Sequence, residues 1–247
     1  MARIAVRARG IDLDAPTLVE GFPGVGLVGK IAADHLVEEF DMIHYADVHC
    51  QELPPVAAYG DDDPGLRTAV RIYADEDRDL VVLQSDVPVA PGAAESVADC
   101  LAGWLDDHAV TPVYLSGLPT EKEEEAPPAL YGVAAGDGAT LLDEAGVPGP
   151  SEAGLVSGPT GALLLDAVES GRTAVGLIVE SDPRFPDPEA ANVLLGRGIE
   201  ALTGLSVPTD DLIERAEEIR KAREKLAERM HGEDEQSTRA QPLRMYQ

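Results

Sequence analysis

The stretch GFPGVGLVGK, residues 21–30, constrains the fold of this chain more than any other part of the sequence. The apolar run at residues 17–20 predicts a β-strand, and the amphipathic run at residues 25–40 predicts an α-helix. A strand, a glycine turn and a helix N-terminus bring bare backbone N–H groups together at one point. We therefore predict a structural turn, in which small residues let the helix pack closely on a sheet, formed by Gly21, Pro23, Gly24, Gly26 and Gly29.

Two nucleotide-binding motifs also fit this stretch. The spacing of glycines at residues 24–29 matches the dinucleotide fingerprint, and Asp47 stands near the end of the next strand-like run, where a ribose-binding acid would lie. Residues 24–30 approximate a phosphate-binding loop, but Ile31 occupies the position where Ser or Thr would hold magnesium. Close packing is the favoured interpretation, and a nucleotide-binding enzyme that uses the turn from Gly24 to Lys30 is the alternative.

The charge of the chain restricts its partners. It has 46 acidic and 19 basic residues, which gives a formal net charge of -27. Such a surface repels nucleic acid and anionic lipid, so neither a nucleic acid nor a membrane is expected as a partner. The hydrophobic fraction of 44% is enough for a full core. This combination is typical of a halophilic protein from a salt-rich cytosol, because molar salt screens charges over about 3 Å.

The sequence also predicts a cytoplasmic location. Cys50 and Cys100 are far apart and form no metal-binding or redox spacing, so we expect two small core residues in a reducing compartment. Residues 1–7 alternate in polarity and lack the apolar stretch of a signal peptide. No apolar run is long enough to span a bilayer.

Strands and helices alternate over residues 1–208, which predicts a three-layer αβα domain. Strands are predicted at residues 4–8, 17–22, 42–49, 66–73, 79–84, 112–115, 130–134 and 173–179. Helices are predicted at residues 25–40, 91–108, 139–145, 158–170 and 187–202.

Two further segments follow this domain. A long helix is predicted from Asp210 to Met230, within a segment at residues 209–231, with Thr209 as its N-cap. A narrow apolar seam on this helix predicts a helix pair or a subunit contact, and its members are Leu212, Ala216, Ile219, Leu226 and Met230. Residues 232–247 form a predicted flexible tail whose last residues are apolar and aromatic, as in a docking peptide.

No catalytic, cofactor or metal site is predicted. His44, Asp47, His49 and Cys50 resemble a ligand set, but on a regular strand only Asp47 and His49 share a face, and two ligands do not close a site. The chain has no Gly-x-Ser-x-Gly elbow, and the acidic residues 121–125 are interpreted as a solvated loop. The turn at residues 157–161 fits either an anion at a helix N-terminus or close backbone packing.

Several spaced motifs resemble the proteasome assembly chaperone family, in its second, archaeal and bacterial branch. They are GFPGVGLVGKIAADHL, SGLPT, SGPTGALLLDA and DPEAANVLLGRGIEALTGLSV, and the resemblance covers roughly residues 10–220 in one register. It implies a three-layer fold related to nucleoside-phosphorylase-like domains, homo-oligomers, proteasome subunits as partners and no established catalytic centre. Older labels for such chains imply an ATP-dependent ligase, which is the enzymatic alternative.

The end of the chain resembles a second pattern. Met245-Tyr246-Gln247 matches the HbYX motif, a hydrophobic residue, a tyrosine and any last residue, with which proteasome activators and assembly factors dock between α subunits. The resemblance implies that Tyr246 packs at the pocket rim, that Met245 adds apolar contact, and that the Gln247 carboxylate pairs with a lysine of the α subunit. The sequence therefore predicts a chaperone or adaptor that binds proteasome α subunits, not an enzyme.

Overall fold

An eight-stranded mixed β-sheet runs through the centre of the structure, a computed structural model that describes residues 3–60, 63–120 and 127–214. Its strands, in chain order, are β1 (Arg3–Val6), β2 (Thr17–Gly21), β3 (Ile43–His49), β6 (Val70–Asp75), β7 (Leu80–Ser85), β8 (Thr111–Pro119), β9 (Leu130–Ala135) and β10 (Ala174–Ser181). A separate two-stranded hairpin is formed by β4 (Ala57–Gly60) and β5 (Asp63–Thr68). The spatial order in the large sheet is β1-β3-β6-β7-β2-β8-β10-β9.

The centre of the sheet is parallel and its edges are antiparallel. Strands β7, β2, β8 and β10 pair in parallel, while β1, β3 and β6 on one side and β9 on the other pair antiparallel to their neighbours. All six residues of β7 are buried, which explains its continuous apolar run, since a central parallel strand is covered on both faces. The carboxyl ends of the four parallel strands meet at one edge of the sheet, where the glycine turn lies.

Helices cover both faces of this sheet. They are α1 (Val28–Glu39), α2 (Ala94–Asp107), α3 (Gly138–Ala145), α4 (Gly158–Ser170), α5 (Pro188–Val193) and α6 (Glu200–Thr203), with a π-helical turn at Leu194–Ile199 between the last two. Helices α2 and α4 pack on the face that Leu18 of β2 presents, and α1, α3 and α5 pack on the face of the next residue, Val19. The predicted α/β class is confirmed, with helices on the two sides of a central sheet.

Two elements begin or end elsewhere than predicted. Helix α1 starts at Val28, three residues late, because a short 3-10 turn at Val25–Leu27 precedes it and Gly26 and Leu27 have left-handed backbone angles. The predicted strand at residues 66–73 is wrong as a single element, since it divides between β5 and β6. The hairpin leaves the sheet at this point, and alternation of side chains does not reveal a change of pairing partner.

The expectation for the cysteines is wrong. Cys50 and Cys100 form a disulfide, with their Cα atoms 6.1 Å apart. The end of β3 and helix α2 lie against each other on the same face of the sheet, so residues 50 positions apart in sequence become neighbours. The cysteines therefore give no support to a reducing compartment.

The described part of the chain ends inside the predicted C-terminal helix. Residues 210–214 are helical, and Leu212 is fully buried in the core cluster that contains α1. The rest of that helix, the acidic loop at residues 121–125 and the tail lie outside the described residues. Within the described ranges, no helix is both long enough and apolar enough to cross a membrane.

Candidate functional site

The glycine turn joins β2 to α1 at very close range. A Cβ atom on Gly21 would overlap the Cβ of Ala33 on α1, and one on Gly29 would lie 3.3 Å from the carbonyl oxygen of Phe22. Strand and helix are thus in direct backbone contact at these two positions. Gly24 differs from them, because a Cβ there would meet nothing within 4 Å.

Gly26 fixes the shape of the turn. Its φ of 61° lies in the left-handed region, which glycine adopts without strain. A Cβ on Gly26 would overlap the hydroxyl oxygen of Ser181, and the Gly26 carbonyl oxygen accepts a hydrogen bond from the Asp187 N–H at 2.8 Å. Leu27, also left-handed with a φ of 53°, completes the turn before α1 begins.

Asp187 ties the end of β10 and the start of α5 to this turn. Its buried carboxylate accepts hydrogen bonds from the Ser181 hydroxyl, the Asp182 N–H and the Ala190 N–H, each at 3.1 Å. The last of these bonds caps the N-terminus of α5. The carboxylate thus occupies the position that an external anion would take at that helix end. The bond from the Asp187 N–H to the Gly26 carbonyl oxygen joins two distant sequence motifs into one structural unit.

Glu20 links the glycine turn to helix α4 on the other face of the sheet. Its side chain is fully buried and accepts hydrogen bonds from the Phe22 N–H at 2.6 Å and from the Thr160 hydroxyl at 3.1 Å. Burial raises the pKa of Glu20 to about 7, and the hydrogen bonds from Phe22 and Thr160 limit the rise. Gly161, one residue further, approaches the Val156 backbone so closely that a Cβ would overlap its carbonyl oxygen. Close packing is thus present at the turn of residues 157–161.

The lysine of the apparent phosphate loop is already paired. Lys30 Nζ lies 2.8 Å from Asp34 Oδ2 and 3.2 Å from Asp86 Oδ1. In a phosphate-binding loop this side chain would be aimed at the ligand. Because Lys30 is instead held by two carboxylates, the phosphate-loop interpretation is not supported.

The dinucleotide interpretation is contradicted at Asp47. Strand β3, which carries Asp47, is separated from β2 by β6 and β7. At about 4.8 Å per strand spacing, Asp47 lies about 14 Å from the strand that leads into the turn, too far to complete a ribose site there. Strand β3 follows α1 in the sequence, but the order of strands along the chain does not determine which strands are neighbours in the sheet.

Asp47 instead belongs to a polar cluster on β3. It accepts hydrogen bonds from Arg7, from Thr68 Oγ1 at 2.7 Å and from His44 Nε2 at 3.0 Å. Burial alone would raise the pKa of Asp47, but the bonds from Thr68 and Arg7 and the Arg7 charge together hold it below the ordinary value. A β-bulge between His44 and Ala46 brings His44 to the face of Asp47, so the prediction that only Asp47 and His49 share a face is wrong. The described residues contain no group of three possible ligands that could hold a metal ion.

The predicted docking residues Met245, Tyr246 and Gln247 lie outside the described residues. Sequence reasoning missed the Asp187 cap and the Glu20–Thr160 contact. A signal for the first was present, since Asp187 directly precedes the proline of α5, as an N-cap residue does. Nothing in the sequence marked Glu20 as buried beyond its position inside an apolar run.

Comparison with known proteins gives a consistent result. The PAC2 family model matches residues 18–227. A Methanocaldococcus jannaschii protein without an assigned function is 26% identical over 219 residues, covering 88% of each chain. Among solved structures, Pyrococcus furiosus PbaA, described as an archaeal homolog of proteasome-assembly chaperone, has a TM-score of 0.80 at 23% identity, over 95% of this chain and 94% of its own. Pyrococcus furiosus PbaB, described as an archaeal proteasome activator, has a TM-score of 0.78 at 22% identity, over 92% and 98%. At these identities the two structures establish a shared fold.

Proposed function

The chain belongs to the PAC2 family, and on that premise we propose that it is a proteasome assembly chaperone or a proteasome-binding adaptor. It binds the α subunits of the core particle, and its activity is binding, not catalysis. The observation that carries this proposal is the C-terminal sequence Met245-Tyr246-Gln247, which follows a polar segment in a chain whose fold matches an archaeal proteasome activator. From the strongly acidic composition we also propose that the protein works in a salt-rich archaeal cytoplasm.

The tail acts as a tethered anchor. Residues 232–241, treated as a flexible coil, reach roughly 15 to 20 Å. Tyr246 supplies an aromatic anchor and the free carboxylate of Gln247 a charged one, and such groups dominate short interfaces. Each tail binds weakly, because ordering it costs free energy. Several tails of one oligomer bind about 100-fold more tightly or better through effective concentration.

The C-terminal helix supplies the oligomer in this proposal. Its first turn is anchored to the folded domain by Leu212, and the seam beyond it includes Ile219 and Leu226. Replacing Ile219 and Leu226 by Asp should therefore lower the mass measured by light scattering while the domain stays folded. An unchanged mass would remove this helix from the subunit interface.

Affinity capture from cell lysate tests the proposed partner. The full-length protein should retain proteasome α subunits, identified by mass spectrometry, and a chain truncated after residue 231 should not. If both forms retain the same α subunits, the folded domain carries the contact and the tail does not. If neither retains them, the proposed partner is wrong.

A nucleotide titration tests the enzymatic alternative. Gly26→Asp is unsuitable, because a side chain there overlaps Ser181 and disturbs the fold. Gly24→Asp adds a carboxylate to the turn at a position where a Cβ has open space. The proposal predicts no saturable binding of ATP or NAD by the parent protein. Micromolar binding that is lost in Gly24→Asp would favour a nucleotide site instead.

A further inference from the structure

A cleft of about 470 Å³ lies beside the glycine turn, on the α1 face of the sheet. Helix α1 forms one wall and the β4–β5 hairpin forms the other, and side chains from β6 and β7 form the floor. Its volume is within the range of about 300 to 1,000 Å³ that is typical of small-molecule sites. The proposed docking through the tail does not depend on this cleft.

The floor of the cleft is a fixed ionic network. Buried Arg71 donates to Gln84 Oε1 at 2.6 Å and to the Tyr73 hydroxyl at 3.1 Å, and its guanidinium lies 2.7 Å from Asp86 Oδ2. Gln84 Nε2 donates in turn to Asp34 Oδ1 at 2.7 Å. The cations Lys30 and Arg71 are therefore neutralised by Asp34 and Asp86, and the side chains of this network are held in place before any ligand arrives. Pre-organisation of this kind lowers the cost of binding.

Asp34 and Asp86 still face the cleft. Their side chains are 35% and 30% exposed, respectively, although both carboxylates already accept hydrogen bonds or ion pairs. A carboxylate has about four acceptor positions, so each retains capacity for a further donor. This side of the cleft therefore offers partly solvated anionic oxygens.

Arg67 on the hairpin wall offers the opposite charge. Its Nε is buried and has no hydrogen-bond partner among the residues that the structure describes. A buried donor without a partner is rare in native proteins and calls for an explanation. A guanidinium fork pairs with a carboxylate through two parallel hydrogen bonds.

We propose that this cleft binds a zwitterionic ligand of the amino-acid or short-peptide class. The ligand carboxylate pairs with Arg67, and its ammonium group lies against Asp34 and Asp86. A simple anion fits less well, because it would approach one arginine past two carboxylates on a chain with a net charge of -27. A simple cation would leave Arg67 without a partner. The volume exceeds that of one small amino acid, and apolar side chains such as Val37 line the remainder.

Calorimetric titration of the full-length protein tests this inference with two peptides. Trialanine has both terminal charges, and N-acetyl-trialanine amide has the same backbone and side chains without them. Trialanine should bind with one-to-one saturation, and the blocked peptide should bind at least about tenfold more weakly. This comparison uses the unaltered protein, so it does not depend on whether a variant folds.

Two matched variants locate the site. Arg67→Gln should weaken trialanine binding by about tenfold or more, because the carboxylate loses its charged partner. Arg197→Gln makes the same charge change at an exposed position of the π-helical turn and should leave binding unchanged. The proposal is overturned if trialanine shows no saturable binding, if the blocked peptide binds equally well, or if a folded Arg67→Gln protein binds like the parent.

Discussion

Glu20 should make the stability of the folded domain depend on pH. Its carboxyl group is fully buried between β2 and α4, and burial raises its pKa from 4.5 to about 7. The native state therefore holds this proton at pH values where the unfolded chain has released it. The free energy of unfolding has its full value below pH 4.5 and falls as the pH rises through 7, because the native state must then keep a charge away from water.

The size of the effect follows from the shift. One pKa unit corresponds to about 1.4 kcal/mol, so a rise from 4.5 to about 7 corresponds to about 3 kcal/mol in total. Between pH 5 and pH 8 the free energy of unfolding should fall by about 2 to 3 kcal/mol from this group alone. Glu20→Gln retains the shape and an acceptor for the Phe22 N–H but cannot ionise. The free energy of unfolding of Glu20→Gln, minus that of the parent, should therefore increase by about 2 to 3 kcal/mol between pH 5 and pH 8.

Urea unfolding at constant high salt, measured from pH 5 to pH 8.5, tests this directly. Glu39→Gln, at an exposed position of α1, is the control, and its difference from the parent should stay flat across the range. Taking differences removes the contributions of the histidines and of the acidic surface, which are common to all three proteins. If the Glu20→Gln difference is also flat, Glu20 has an ordinary pKa and is not held in the interior as described.

Three further predictions concern the turn, the disulfide and the surface charge. Gly26→Ala should lower the free energy of unfolding by about 2 to 4 kcal/mol, because the added methyl group overlaps Ser181 at a position with a left-handed backbone. Gly24→Ala should change it by less than about 1 kcal/mol, because a Cβ there has open space. Equal effects of the two substitutions in urea melts would contradict the turn geometry. Replacing Cys50 and Cys100 by Ser should lower the free energy of unfolding by up to about 4 kcal/mol, because the disulfide closes a loop of 50 residues. A thiol titration that finds two free thiols in the unfolded, unreduced parent would refute the disulfide. Dialysis into dilute buffer should unfold or dissociate the protein, and unchanged circular dichroism and light scattering there would refute the halophilic interpretation.

The sequence predicted the layered architecture because its signals are local. Apolar periodicity located most strands and helices, and proline or glycine marked the ends of α4 and α5. The left-handed angle of Gly26 was not predicted, because this glycine packs against Ser181 and Asp187, which lie far away in the chain.

Spatial order was the main source of error. The less favoured alternative, in which Asp47 is a ribose-binding acid, assumed that the strand after α1 lies beside β2, and the sheet places β6 and β7 between them. The cysteine prediction failed in the same way, since a separation of 50 residues does not indicate distance in space. The cleft beside α1 was not predicted at all, because its walls come from a helix and a hairpin whose meeting depends on the whole sheet.

The central claim is that the C-terminal tail anchors this protein to proteasome α subunits. The most direct measurement is the affinity for purified α subunits of the parent, of Tyr246→Ala and of a chain with one residue added after Gln247. The added residue displaces the carboxylate while keeping every side chain. Both changes should weaken binding by about 30-fold or more, the loss of about 2 kcal/mol expected for a dominant contact. Tyr59→Ala, which removes a tyrosine that is 78% exposed on the folded domain, should bind like the parent. If both tail variants also bind like the parent, the tail is not the anchor and the account is contradicted.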